Sequence, residues 1–236
     1  MSLKYAGCSE VGLVRGNNED AFLMRVDQDA GLFLVADGIG GRADGEVVSA
    51  KIRDDYDRWW TQEFLPMRGK LDFHAAVKQM QNVLFTLNRE VVERYGEHKA
   101  GSTLAMLFLY GGNCAYVWTG DSRIYRFRGL SLDQISRDDV YRAKDSSKAS
   151  LNGKLTSAVG LRTSLEFNTR TDNIRNGDGF FLCSDGVYRF AKPDFLRRKL
   201  LFNLSSPEHT VEAIRKEVLK NGAKDNYSMV LVKARL

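Results

Sequence analysis

Apolar and polar positions along the chain follow two rhythms, and the rhythms come in blocks. Short apolar runs open it at residues 3–8, 21–26 and 31–36, each bounded by polar or glycine-containing segments and so predicted as strands. Two longer stretches follow. Residues 45–64 carry Val47, Val48, Ile52, Tyr56, Trp59 and Trp60 close to the 3.6-residue repeat of a helix, and residues 73–95 carry Val77, Met80, Val83, Leu84, Leu87, Val91 and Val92 on a similar stripe. Such stripes are core faces, and no ligand role is assigned to their aromatic side chains. The strand rhythm returns at 102–110, 113–119 and 123–128, with Tyr110-Gly111-Gly112-Asn113 reading as a hairpin turn. After a polar stretch over 136–154, strands are expected at 166–171 and 179–183, then a helix near 207–220 and a last strand at 227–234. Strands grouped with strands, and helices with helices, argue for an α+β fold of antiparallel sheets with flanking helices. No internal repeat, linker or low-complexity tract interrupts residues 1–236, which are predicted to form one domain.

Composition narrows the class. A content of 43% hydrophobic residues with only three prolines is that of an ordinary globular chain with material for a core. No apolar run approaches the roughly 20 residues that span a bilayer, so membrane insertion is not expected. The opening Met1-Ser2-Leu3-Lys4-Tyr5 lacks the charged and apolar regions of a secretion signal, which predicts a cytoplasmic location. Cys8, Cys114 and Cys183 are odd in number and lie in apolar runs, reading as core thiols in a reducing compartment. His74, His98 and His209 show no paired ligand spacing, which argues against zinc. The net charge of +5 is scattered apart from Arg197, Arg198 and Lys199, a cluster assigned to a solvated helix face. A nucleic-acid partner is therefore not predicted, whereas a mildly positive surface suits an anionic substrate such as a phosphoprotein.

The informative motif is an apolar strand that stops at an aspartate followed by glycine or another small residue. It occurs as Leu32-Phe33-Leu34-Val35-Ala36-Asp37-Gly38, as Phe180-Phe181-Leu182-Cys183-Ser184-Asp185-Gly186, and as Tyr116-Val117-Trp118-Thr119-Gly120-Asp121-Ser122. Asp225 stands just before the last apolar strand, and Glu19-Asp20 precede the second. Any one of these reads most simply as a turn. Together they would crowd carboxylates at one edge, where like charges repel, and a hard divalent cation relieves that repulsion. All-oxygen donors select Mg²⁺ or Mn²⁺. Such a centre suits phosphate-ester hydrolysis, in which two metals sharing a carboxylate activate water and neutralise the phosphate. Asp37 is the proposed bridge, because the glycine after it would let the Gly38 carbonyl approach a metal.

These residues also carry a resemblance. In order along the chain, Arg15-Gly16-Asn17-Asn18-Glu19-Asp20, Ala36-Asp37-Gly38-Ile39-Gly40-Gly41, Gly45-Glu46 with Ser49, Gly101-Ser102-Thr103, Gly120-Asp121-Ser122-Arg123, Ser184-Asp185-Gly186 and Asp225-Asn226 resemble the motifs of the type 2C metal-dependent (PPM) serine/threonine protein phosphatases, in their compact bacterial form. The resemblance implies a four-layer α-β-β-α sandwich of two antiparallel sheets flanked by helix pairs, with two tightly held Mg²⁺ or Mn²⁺ ions at one end. It implies that Asp37 bridges both ions, that Gly38 offers its carbonyl, that Asp185 and Asp225 complete one ion's shell, and that Glu19 holds the other through water. Arg15 would grip the substrate phosphate, and Asp121 would share a third, weaker ion with Asp185. The implied partners are phosphorylated proteins and a cognate serine/threonine kinase.

Two departures stand out. Ile39 occupies the place where many eukaryotic members have a histidine proposed as general acid. Arg137-Asp138-Asp139-Val140 replaces the usual Asp-His-Ser, and Leu155-Thr156-Ser157-Ala158-Val159-Gly160 returns soon after it. The intervening flap, 136–154, with Asp138, Asp139, Arg142 and Lys144, is expected to be mobile and too short to cover the site. That flap motivates the competing reading, a catalytically weak phosphoprotein-binding module of the same fold. A haloacid-dehalogenase mechanism is excluded by the lack of an Asp-x-Asp pair at Asp37-Gly38-Ile39.

Overall fold

The computed structural model describes residues 1–40, 44–142, 146–202 and 206–236, so that Gly41 of the glycine motif and Lys144 of the polar stretch lie outside the described residues. The first strands are β1 (Ser2–Glu10), β2 (Asp20–Asp27) and β3 (Ala30–Ile39). Helix α1 (Asp44–Arg58) runs through a π-helical turn at Trp59–Phe64 into the short α2 (Leu65–Met67), and α3 (Phe73–Tyr95) follows. Next come β4 (Gly101–Ser102), β5 (Leu104–Tyr110), β6 (Asn113–Thr119), β7 (Arg123–Arg128) and β8 (Ser131–Gln134). A 3₁₀ turn at Ser146–Leu151 precedes β9 (Asn168–Asn173) and β10 (Gly179–Cys183). The chain closes with α4 (Asp185–Tyr188), α5 (Pro193–Phe202), α6 (Pro207–Lys220) and β11 (Tyr227–Arg235).

The strands form two antiparallel sheets, ordered β1-β11-β10-β7-β8 and β2-β3-β5-β6-β9, with β4 pairing β3. Three apolar layers hold them. Leu32, Leu34 and Ala36 of β3 meet Ile52, Tyr56 and Trp59 and the α3 stripe of Met80, Leu84 and Leu87. The alternate residues Phe33 and Val35 face Phe180, Leu182, Val230 and Val232 of the other sheet. Beyond that sheet, Phe181, Met229 and Leu231 pack on Leu196, Leu200, Val211 and Ile214 of α5 and α6. The architecture is the four-layer α-β-β-α sandwich. It explains the unbroken apolar runs, since β3, β5, β6, β10 and β11 are buried on both faces over most of their length. Full burial of a leucine or phenylalanine is worth about 1.5–3 kcal/mol, so these layers dominate the stabilisation.

Several sequence expectations shift. The predicted helix 45–64 leaves α-helical geometry at Arg58, and the backbone N–H of Leu65 donates to the Trp60 carbonyl, five residues back. Along the wider turn Trp59, Trp60 and Phe64 are all buried: Trp59 packs on Phe108, Trp60 on Phe64, and Phe64 on Phe108 and Tyr110. The predicted strand at 166–171 lies instead at Asn168–Asn173, and β8 was not foreseen; both are exposed edge strands without an apolar alternation to mark them. Helix α5 carries Arg197 and Arg198 exposed, so the basic cluster is a solvated helix face. All three cysteines are free; Cys114 and Cys183 are buried, but Cys8 is only half-buried because β1 is an edge strand. Among the described residues, no helix is long and apolar enough to cross a membrane.

Candidate active site

The acidic residues meet where strand ends from both sheets come together. Asp37 lies near the end of β3, in register with Asp20 at the start of β2. Asp185 follows β10, Asp121 follows β6, and Asp225 leads into β11. Arg15, Glu19, Asp37, Gly38, Ile39, Asp121, Asp185 and Asp225 all line one cleft of about 310 Å³. Every site residue expected from the sequence therefore borders the same space.

Backbone hydrogen bonds fix that edge. The Asp37 N–H donates to Thr103 Oγ1 at 3.0 Å, and its carbonyl accepts from the Thr103 N–H at 2.9 Å and from Ser102 Oγ at 3.0 Å. Thr103 Oγ1 also lies 2.7 Å from Ser122 Oγ, which joins the 101–103 motif to the 120–123 motif. The Gly38 N–H donates to the Glu19 carbonyl at 3.0 Å, which also accepts from Ser49 Oγ at 2.6 Å. Gly38 is required by packing: a Cβ there would lie 2.5 Å from the Gly45 carbonyl oxygen and 2.6 Å from that of Glu19. Asn226 stitches the N-terminal loop down, accepting from the Glu19 N–H at 2.9 Å and donating to the Val11 and Asn17 carbonyls.

Electrostatically the cleft crowds carboxyl groups whose ionised forms burial and mutual repulsion disfavour. Loss of hydration, then the charges of Asp20, Asp185, Asp121 and Asp225, holds the Asp37 carboxyl well above the usual carboxylate range. Burial likewise pushes Asp185 to about 6, with Arg189 opposing and Asp121 and Asp225 reinforcing. Burial also raises Asp121 and Glu19, opposed by Arg189 and Arg15 respectively. Oxygen-only donors whose charges destabilise one another are the donor chemistry a hard divalent ion satisfies. Among the described residues, however, no group of three acidic, histidine or cysteine side chains stands ready-formed to hold a metal. Guanidinium groups already engage two of the carboxylates. Arg15 Nε lies 2.8 Å from Asp225 Oδ1, and Arg189 Nη2 lies 2.8 Å from Asp185 Oδ2.

Sequence reasoning missed two residues here. Asp20 was read only as part of a motif, yet it is buried; Ser184 Oγ donates to its Oδ2 at 2.7 Å while its Oδ1 has no partner. Its signal was the register with Asp37, invisible without the pairing of β2 and β3. Arg189 was not singled out at all. The base of the flap is pinned. Arg123 forks onto Asp138 at 3.0 and 2.8 Å, and the Asp139 N–H donates to the Gly120 carbonyl at 2.9 Å. A bridge between Val140 and Leu155 extends this stem, and Gly153 near the flap's end and Leu155 just after it line the cleft.

Comparison with known proteins gives the family of the chain. The family model described as protein phosphatase 2C matches residues 14–222. The serine/threonine protein phosphatase PstP of Mycobacterium tuberculosis is 30% identical over 97% of this chain, which spans 44% of that relative's length. A solved structure of PppA, described as a key regulatory component of T6SS in Pseudomonas aeruginosa, is 34% identical with a TM-score of 0.82, covering 99% of this chain and 98% of that one. The PstP catalytic domain, solved in complex with two manganese ions, is 26% identical with a TM-score of 0.80 and 99% coverage of both chains. The chain belongs to the protein phosphatase 2C family, in its bacterial PPM-type serine/threonine phosphatase form.

Proposed function

We propose that the chain hydrolyses phosphoserine and phosphothreonine on proteins with a metal-activated water, depends on Mg²⁺ or Mn²⁺, and opposes a serine/threonine kinase. The observation that carries this reading is the convergence of Glu19, Asp37, Asp121, Asp185 and Asp225 on one cleft with Arg15 at its edge. Asp37, the Gly38 carbonyl, Asp185, Asp225 and, through water, Glu19 would hold two ions, with Asp121 and Asp185 the place for a weaker third. Bound divalent ions supply charge neutralisation at the phosphate and lower the pKa of water.

The chain's own residues do the rest. Arg15 offers a planar fork to phosphate oxygens once it leaves Asp225. Ser102 and Thr103, the latter braced by Ser122, hold the Asp37 backbone, so its carboxylate would meet a metal ion without reorganising. Ile39 carries no proton, so the leaving alkoxide takes its proton from water in the cleft. The binding-module reading is not favoured, because a pure binder has no use for so many mutually repelling carboxyl groups at one point. Mn²⁺-dependent turnover of a phosphothreonine peptide, abolished by chelation and restored by added metal, is the expected result. Metal-independent turnover, or none at all with a folded protein, would overturn the reading.

A further inference from the structure

Arg189 stands one helical turn after Asp185 in the short α4 segment, and its backbone N–H donates to the Asp185 carbonyl at 3.0 Å. That turn brings the two side chains to the same side. Nη2 of Arg189 lies 2.8 Å from Asp185 Oδ2 and 3.9 Å from Asp121 Oδ2, so a single guanidinium nitrogen faces both carboxylates. Asp121 is held for this contact. The Tyr188 hydroxyl donates to its carbonyl at 3.1 Å and to its Oδ2 at 3.3 Å, and the Arg123 guanidinium covers the Tyr188 ring at 3.6 Å. Arg189 lines the cleft, and its side chain is 54% exposed, so it can swing away into solvent.

We propose that Arg189 is the resident cation of the Asp121–Asp185 pair, a tethered guanidinium that a third divalent ion must displace before binding there. The inference rests on the divalent-ion reading above and adds to it a residue that sets how many ions the site takes. The physical argument is exclusion. A Mg²⁺ or Ca²⁺-like ion needs carboxylate oxygens at roughly 2.0–2.6 Å, and those oxygens here face a nitrogen that is itself positive. Two cations cannot share such close quarters without strong repulsion. Arg189 thus holds a single positive charge beside Asp185 until the free divalent-ion concentration is high enough to displace it.

The test counts bound Mn²⁺ by calorimetric titration, with electron paramagnetic resonance of the free ion as a second measure. It uses the full chain, Arg189→Gln, Arg189→Lys and the double variant Arg189→Gln/Asp121→Asn. The wild type should bind two ions tightly and a third only weakly. Arg189→Gln should tighten the third equivalent by about tenfold or more, the scale of one charge-assisted contact. Arg189→Lys, which keeps the charge on a more strongly hydrated ammonium, should fall between them and carries the test if the glutamine variant does not fold. In the double variant the gained ion should vanish while the two tight ions stay. An unmoved third equivalent in both single variants, or a gained ion that survives Asp121→Asn, overturns the assignment. A wild type that binds no Mn²⁺ tightly sinks the divalent-ion reading and this one with it, whereas two tight ions with an unmoved third sink Arg189 alone.

Discussion

Arg15 and Asp225, 210 residues apart in sequence, form a two-pronged ion pair: Nε sits 2.8 Å from Oδ1 and Nη2 3.1 Å from Oδ2. The pair joins the N-terminal loop to the start of β11, and the same carboxylate raises the pKa of the Arg15 guanidinium by hydrogen bonding to it. A residue proposed to grip phosphate is thus parked on a residue proposed to hold metal. On that proposal, substrate capture would include a switch of Arg15 from Asp225 to phosphate.

Arg15→Ala should lower kcat/KM on a phosphothreonine peptide by about tenfold, near the bottom of the ~1.5–3 kcal/mol range for a charge-assisted contact, because Arg15 is 54% exposed. The same change should tighten Mn²⁺ binding, since Asp225 is released from its partner. An unchanged kcat/KM would remove Arg15 from phosphate recognition.

Asp37→Asn and Asp225→Ala should each abolish turnover while leaving a folded protein. Burial and the charges around it hold the Asp37 carboxyl well above its usual range, and Asp225 borders the same cleft. Removing either deletes an oxygen donor where charge must be neutralised. Circular dichroism should show a native spectrum, and calorimetry a loss of tight Mn²⁺ binding. Near-wild-type turnover in either variant would refute the proposed ligand set.

The buried carboxyls also set a pH dependence. Asp20 rises from an ordinary 3.8 to about 7, and Asp185 from 3.8 to about 6, in both cases chiefly through burial. Raised carboxylate pKa values mean that the folded chain holds protons the unfolded chain has released. The stability of the metal-free protein is therefore lost as pH climbs from about 4 through 7. Its melting temperature should fall between about pH 5 and about pH 8, and the rise on adding Mn²⁺ should be larger at the higher pH. A Mn²⁺ shift of equal size at both would contradict this account.

What could be read from the sequence follows burial. Central strands such as β3 and β10 are apolar on both faces, so their ends, and the aspartates there, could be located without coordinates. Edge strands β8 and β9 lack that signature, which is why one was missed and the other misplaced. The convergence of Asp37, Asp185 and Asp225 was legible because all three adjoin core strands. Arg189 was not, because its place beside Asp185 depends on a helical turn only a few residues long, too short to leave a periodic pattern. The pinned base of the flap was hidden for a similar reason: Arg123 and Asp138 meet through the path of β8, not through any local motif.

The last prediction concerns that flap base. Asp138 is 8% exposed and receives both prongs of Arg123, while Arg123 also covers the ring of Tyr188, whose hydroxyl steadies Asp121. One arginine therefore braces the flap on one side and an acidic cleft residue on the other. Asp138→Asn keeps the shape but removes the charge. It leaves Arg123 with a weaker partner in a half-buried place, a loss of about 2 kcal/mol given that the arginine is only 24% exposed. The melting temperature should drop accordingly. Because Gly153 and Leu155 carry the flap to the cleft wall, a loosened stem should raise KM for a phosphopeptide, which extends beyond the cleft. The small substrate p-nitrophenyl phosphate should show little change in KM. With its base pinned and its tip short, the wild-type flap should still discriminate only modestly across a panel of phosphopeptides, within about a hundredfold, the span of two charge-assisted contacts at the lower end of their range. A phosphopeptide KM that Asp138→Asn leaves untouched, or a wild-type panel ranked more steeply than that, would show that the flap does not set peptide recognition in this way.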